Sequence, residues 1–503
     1  MIILSLAVRI YLFLDLGAIL GADVGRMTTV SHVWFLKGKI TEDLRPYDMA
    51  NGFFYFPGVF LLPLAFEYLG INPIDTVTFF SFLFSFLSTL IFYKIARIFL
   101  DKKEAIASYF FYSFAFDIVL IFSLFGIFPF GFSAFFFLVT IWQMLNYYFK
   151  KRINIFLLTL GIFGIFMFHW YLLPVLAIFL LSLFTHSFVE GHEFKKPFLI
   201  FSFSFCLAFL ISFPFWFPFW KWGGISRLPE NQVDILSFTV GRLKMNEFDK
   251  FRTVFFTSYV GSFFSPLLVI GFFISIPTLL LKKELRFWLY FFIFLSVACF
   301  LVFGELNLLR ITSFLWLPYS LCLGSVLKNH QLNLLFLLLL FFIPSPSIPF
   351  VINALNRART IEPGEPTIIV PYVDFHKFNK AMDWIRKNTP ENSTFLIDGG
   401  GAGCTGASAS YGERIFPLTS RKVFYFSNYC WANYNRTEYM KRVDLYRRVS
   451  INASCCIDEL KSYNVTHVFI GEKWVAFDPK YFLNNPNYKL IYDENGYKIF
   501  EIV

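Results

Sequence analysis

The sequence predicts a polytopic α-helical membrane protein of about eleven spans, followed by a C-terminal soluble α/β domain. Three observations predict it. Of 503 residues, 57% are hydrophobic and only 16% charged, whereas a soluble domain carries about a quarter charged residues. Apolar runs of about 18 or more residues, the length a spanning helix requires, recur as far as Pro344, Pro346 and Pro349. Beyond those prolines the composition becomes that of a soluble chain. A soluble enzyme, a nucleic-acid-binding protein and a disordered scaffold are therefore excluded for the whole, and the net charge of +10 is a matter of placement.

The spans fall at roughly 1–20, 75–99, 105–122, 127–148, 153–169, 171–188, 197–215, 255–281, 286–303, 308–327 and 331–350. The first is read as a helix rather than a signal peptide: it has no basic n-region, Arg9 interrupts it, and no small-residue cleavage site follows. The apolar stretch Phe53–Gly70 is read as interfacial. Counted as a span, it would put Lys94, Arg97, Lys102 and Lys103 outside, against the tendency of basic loops to stay cytoplasmic. Placed in the interface, it leaves Lys94–Lys103, Lys150–Arg152, Lys195–Lys196, Lys282–Arg286 and Lys328 all on the cytoplasmic face. The outer face then receives a loop at 21–74, a second at 216–254 and the tail 351–503, with residues 1–350 forming the membrane module.

The tail holds all four N-x-S/T sequons of the chain, at Asn392, Asn435, Asn452 and Asn464, which agrees with an extracytoplasmic position. Cys404, Cys430, Cys455 and Cys456 are also there, an even number that permits disulfides outside the reducing cytosol; Cys206, Cys299 and Cys322 lie in spans. Phe375–Asn388 reads as an amphipathic helix stopped by Thr389-Pro390. Ser393–Ile397 and His467–Ile470 read as buried strands, and Lys489–Tyr492 and Tyr497–Ile502 as a hairpin around Glu494-Asn495-Gly496. Gly401-Ala-Gly403-Cys-Thr-Gly406 matches GxGxxG formally. No helix starts at these glycines and no acid follows at about 20 residues, so it is read as a glycine loop without a nucleotide.

Charge inside or beside a membrane is costly, about 2.5–3.5 kcal/mol at the centre on insertion scales, so chemistry is sought there. Asp23 lies one turn beyond the first span, close to Arg26. Asp117 falls about 7–8 Å below the outer end of the third span at helical rise. His169 ends the fifth span, and Glu305 and Arg310 flank the short outer turn before the tenth. All share one depth on separate helices, as a bundle site requires. Each has a plain alternative. Asp23 as a cap for a helix Val24–Leu36 competes with Asp23 as a base. Arg310 also reads as a structural partner of Glu305 or as snorkelling to headgroups, Arg26 as an interfacial arginine, and Asp117 and His169 as structural hydrogen-bond partners. Glu42, Asp43 and Asp48 read as solvated loop, any of them a candidate second carboxylate.

The arrangement resembles the GT-C superfamily of integral-membrane glycosyltransferases. The likeness rests on Gly21-Ala-Asp23-Val-Gly-Arg26, Gly38-Lys-Ile40 leading to Tyr47, and Phe54-Tyr-Phe-Pro57-Gly58. It continues with Phe128-Pro129-Phe130-Gly131 as an outer turn between spans and Arg310-Ile-Thr-Ser-Phe314 as a late arginine. In the tail, Ala381-Met-Asp-Trp384-Ile-Arg-Lys-Asn-Thr-Pro390 and Pro417-Leu-Thr-Ser-Arg421 resemble accessory domains of prokaryotic members. Two departures stand out. Asp23 is followed by Val24 where many members have a second acid, and the WWDYG-type motif of oligosaccharyltransferases is absent, which speaks against en bloc glycan transfer to asparagine.

The resemblance implies sugar transfer from a polyprenyl-phosphate donor, dolichol phosphate being one such lipid, to a lipid-linked glycan or protein at the outer face of a plasma membrane. A lipid phosphate leaves without a general acid. What remains is a base for the acceptor hydroxyl and cations for the developing phosphate charge. Asp23 is then the expected base, with Asp117 a second catalytic candidate. Arg26 and Arg310 are the expected phosphate clamps, and Tyr55, His169 and Glu305 contact substrate, with Phe54–Phe66 lining a prenyl groove. No His/Cys/Asp cluster has metal-ligand spacing; a divalent cation is neither required nor excluded. The rival class, a transporter or flippase of lipid-linked glycans, predicts midplane charges and inverted repeats, neither of which stands out.

Overall fold

The computed structural model describes residues 1–16, 22–41, 44, 56–115, 118–124, 128–221, 280, 282–301, 313–326, 374–398, 414–424, 436–472, 474 and 476–503. Its first part is helical: α1 (Ile2–Leu16), α2 (Ala22–Lys37), α3 (Pro57–Glu67), α4 (Pro73–Phe99), α5 (Lys102–Ala115), α6 (Ile118–Leu124), α7 (Phe128–Lys150), α8 (Ile155–Phe168), α9 (Leu173–Glu190), α10 (Lys195–Lys221), α11 (Arg286–Leu301) and α12 (Trp316–Val326). Four helices among the described residues are long and apolar enough to cross a bilayer: Pro73–Phe99, Phe128–Lys150, Leu173–Glu190 and Lys195–Pro218.

The third expected span is described as α5 and α6, with residues 116–117 outside the described residues; the first is described over Ile2–Leu16, with 17–20 outside them; the fifth is an apolar helix below 18 residues. Spans 255–281 and 331–350 lie almost wholly outside the described residues. Helix α3 has 11 residues, about 16 Å at 1.5 Å per residue and about half the hydrocarbon thickness, too short to span. Phe128-Pro129-Phe130-Gly131, expected as a turn, is the first turn of α7. Proline fits there because no intrahelical N–H bond is lost.

Basic residues of α4, α7, α11 and the residues before α11 gather at one end of the bundle. The Lys150 ammonium, at the end of α7, donates to the Arg97 carbonyl near the end of α4 at 3.0 Å. Lys282 pairs with the buried Glu104 of α5 at 3.2 Å, and Arg286 of α11 with Glu190 of α9 at 2.6 Å. The first turn of α7 is at the far end, about 33 Å away along a helix of 23 residues.

Residues 374–503 add α13 (Phe375–Asn388), α14 (Ile415–Thr419), α15 (Arg436–Ile451), α16 (Ile457–Ser462) and α17 (Pro479–Leu483) to five strands: β1 (Thr394–Ile397), β2 (Lys422–Val423), β3 (His467–Ile470), β4 (Tyr488–Glu494) and β5 (Tyr497–Ile502). The sheet runs β2-β1-β3-β5-β4, with β2, β1 and β3 parallel and β5 antiparallel to both β3 and β4. Asn495 and Gly496, at φ 56° and 82°, supply the two left-handed positions of a two-residue hairpin turn. Asp374 caps α13 by accepting from the His376 and Lys377 amides, and α13 lays Phe378, Ala381, Met382 and Ile385 on the sheet. The apolar core of this sheet is continuous with the core that joins α1–α4 and the first turn of α7.

Candidate functional site

At the end of the bundle opposite the basic residues, α8 stops at Phe168 and His169 leaves the helix with φ −169° and ψ 89°. A single 3-10 turn, Trp170–Leu172, then starts α9. The His169 ring is 1% exposed. It stacks on Phe56 at 4.7 Å and meets the edge of Phe130 at 5.4 Å, while its carbonyl accepts from the Ser133 hydroxyl at 3.0 Å. Phe56, the residue before α3, also packs edge-on against Trp216 of α10 at 5.9 Å, and Trp216 lies 6.3 Å from Trp170. On the other side, Phe130 and Phe137 hold Phe314 at 6.1 and 4.9 Å.

Five elements thus meet in an aromatic cluster around one histidine. Gly58 permits the approach of α3: a Cβ there would be 2.9 Å from the Met167 carbonyl oxygen of α8, so any side chain would push α3 away.

Of the residues expected in the site, His169 is the one whose side chain is described. Asp23 and Arg26 are the second and fifth residues of α2, and their side chains lie outside the described residues. Asp23 is thus inside the first turn rather than capping a helix from Val24. Val24 itself is buried in the same cluster as Phe56, Phe128 and Phe168. Tyr55, Asp117, Glu305 and Arg310 lie outside the described residues. Their described neighbours in sequence are Phe56 beside Tyr55, Ile118 beside Asp117, and Phe314 four residues after Arg310. Phe56 and Phe314 border the histidine cluster directly, and Ile118 shares the buried core of Phe130 and Phe314.

Two polar constellations escaped sequence reasoning. In the first, His32 of α2 joins Glu67 of α3 through Nδ1 at 2.5 Å and Ser420, just after α14, through Nε2 at 2.9 Å. Glu67 Oε2 is buried with no hydrogen-bond partner among the described residues. Phe416 covers the imidazole edge-on at 5.1 Å, and Asn72 donates to the Pro417 carbonyl at 3.4 Å. Next in sequence, the Arg421 guanidinium bonds Thr389, Thr419 and Arg386. Burial draws its pKa below the ordinary arginine value. Pro417-Leu-Thr-Ser-Arg421 is therefore one segment by which the tail meets α2 and the start of α4; His376 of α13 also reaches the Leu14 carbonyl of α1 at 3.4 Å. No local signal could reveal a contact spanning 388 positions.

The second constellation is Arg9 of α1, 1% exposed. Its guanidinium donates to the Ser85 hydroxyl at 2.9 Å and to the Ser113 carbonyl at 3.2 Å, tying α1 to α4 and α5. Among the described residues no three His, Cys, Asp or Glu side chains converge as metal ligands would.

No family model matches the chain, and no curated protein matches it. Solved structures do. ArnT from Cupriavidus metallidurans bound to undecaprenyl phosphate superimposes with a TM-score of 0.61 at 12% identity, covering 99% of this chain and 97% of that one. The archaeal oligosaccharyltransferase AglB from Archaeoglobus fulgidus, in complex with an inhibitory peptide and a dolichol-phosphate, gives 0.53 at 13% identity over 100% and 74%. The mycobacterial arabinofuranosyltransferase AftD gives 0.50 at 9% identity over 100% and 40%. At such identities the likeness concerns the course of the backbone: this chain shares its fold with these three proteins.

Proposed function

We propose that the protein is an integral-membrane glycosyltransferase that moves a sugar from a polyprenyl-phosphate-linked donor to a lipid-linked glycan or protein. The carrying observation is the end-to-end match of backbone with a protein bound to undecaprenyl phosphate. In this reading residues 1–350 form the catalytic module in the plasma membrane and 351–503 an extracytoplasmic domain. The clustering of basic groups at one end of the bundle and of the aromatic site at the other supports that orientation.

The proposed chemistry is a single displacement. The acceptor oxygen attacks the anomeric carbon, the bond to the lipid phosphate oxygen breaks, and the acceptor proton passes to Asp23. Arg310 and Arg26 neutralise the departing phosphate. Asp117 or a carboxylate of the 42–48 segment is the second acid, and Tyr55, His169 and Glu305 position substrate. The aromatic wall of Phe56, Trp170 and Trp216 suits the first isoprene units or a sugar face. The test is transfer of radiolabelled sugar from polyprenyl phosphate by the purified protein, wild type against Asp23→Asn. Transfer abolished with lipid binding intact supports the assignment; near-normal turnover removes Asp23 from the mechanism. Lipid flux across vesicles without transfer would favour a flippase instead.

A further inference from the structure

We infer that Asn452 is the glycan acceptor of the tail among the three sequons with described backbones. The inference rests on the tail facing outward. A transferring enzyme must wrap the acceptor asparagine and the hydroxyl two residues on, so the segment has to stand on the surface in a turn it can leave. Two of the sequons are built into the sheet. Asn392-Ser-Thr394 runs straight into β1: Ser393 and Thr394 are buried, and the Thr394 carbonyl accepts from the Thr466 amide at 3.0 Å. Asn464-Val-Thr466 is the other side of that contact. Val465 is buried, and the Thr466 hydroxyl is engaged with the Thr394 amide at 3.1 Å and with His467 Nδ1 at 2.8 Å. Using either would require pulling a central strand out of the sheet. Asn435 lies outside the described residues.

Asn452-Ala-Ser454 instead follows the end of α15. Asn452 and Ser454 are both exposed. The Asn452 Oδ1 accepts from the Ser454 amide at 3.0 Å, and its Nδ2, the atom that would be glycosylated, makes no hydrogen bond among the described residues. The Ser454 hydroxyl accepts one bond, from Asn485 Nδ2 at 3.0 Å. Ala453, between Asn452 and Ser454, is buried and its carbonyl accepts from the Tyr488 hydroxyl of β4 at 2.9 Å, so releasing the turn costs that one bond and the Asn485 bond but no strand pairing. The donor class is a glycan linked to a lipid phosphate: Nδ2 bonds to the anomeric carbon, the carbon–oxygen bond to the lipid phosphate breaks, and the amide proton goes to a base of the transferring enzyme.

The full chain purified from its own cells is digested and its glycopeptides are read by mass spectrometry, alongside an Asn452→Gln variant. In parallel, intact cells are treated with a membrane-impermeant lysine-acylating reagent, scored at the exposed Lys461 and Lys489. Acylation of these lysines with a glycan on Asn452, lost in the variant, and bare Asn392 and Asn464 supports the inference. Acylated lysines with bare Asn452, or with a glycan on Asn392 or Asn464, overturn the acceptor assignment and leave the tail outside. Lysines that react only after the membrane is opened overturn the outward placement itself.

Discussion

Arg9 illustrates how a single side chain can be costly alone and tolerable in company. Serine hydroxyls and carbonyls of three helices surround it, so truncation and replacement have different consequences. Arg9→Ala leaves a cavity and is expected to lose about 2–5 kcal/mol. Arg9→Met fills the volume, and the freed serines can back-bond to their own helices, so the loss is expected below about 1.5 kcal/mol. Thermal unfolding in detergent compares the two. Asp23→Asn is a different kind of change: loss of a general base is expected to lower the transfer rate about 10²–10⁴-fold, with melting temperature and polyprenyl-phosphate binding held. In the tail, burial keeps the pKa of His467 below its ordinary value, with Glu501 pulling weakly the other way. The folded strand resists a proton that the unfolded chain accepts as pH falls through about 6.5. Stability is therefore complete above that pH and declines below it, until the lowered native value is passed. Hydrogen exchange of the β3 amides, corrected for intrinsic rate, should show faster opening at pH 5.5 than at 7.5, and His467→Gln should flatten the difference.

At the scale of elements, the decisive contact is α3 on α8 through Gly58. Gly58→Val must displace the Met167 backbone or α3 itself, an overpacking cost of about 1–3 kcal/mol. Because Phe56 precedes this glycine by two residues, the shift also parts its ring from His169. A drop in transfer rate with Gly58→Val, set beside retained transfer in His169→Phe, would show that the packing of this histidine matters more than its nitrogens; the reverse order would assign it a polar role. Elements were also where the sequence was most readable. The helix Phe375–Asn388 and strand His467–Ile470 end where their caps and apolar runs indicate, because local signals act over a few residues. The contact of His32 with Ser420 was not readable, since it joins positions 388 apart. Nor was the start of α7, where Phe128-Pro129 satisfies a helix's first turn as well as a loop. Within the candidate site, the position of His169 followed from the end of an apolar run. Its aromatic neighbours come from α3, α7 and α10 and leave no periodic trace in one sequence.

For the molecule as a whole, the contact of His32 with Glu67 and Ser420 joins tail to bundle. His32→Leu leaves a buried carboxylate without its partner and is expected to cost about 3–5 kcal/mol. His32→Leu with Glu67→Leu should recover most of that, and a double-mutant cycle on melting temperature checks it. Ser420→Ala removes one hydrogen bond and should cost about 1 kcal/mol. If His32→Leu and Ser420→Ala add without coupling, the two residues do not act as a unit.

The shared core beneath that contact also sets an order of events during biosynthesis. Helices α2 and α3 leave the ribosome hundreds of residues ahead of Phe416 and Ser420, the groups that cover them. Until the distant segment is translated, the early hairpin has a wet flank and a histidine whose Nε2 lacks its serine. Chains interrupted before β1 would carry that flank uncovered, a mark by which quality-control proteases could recognise them.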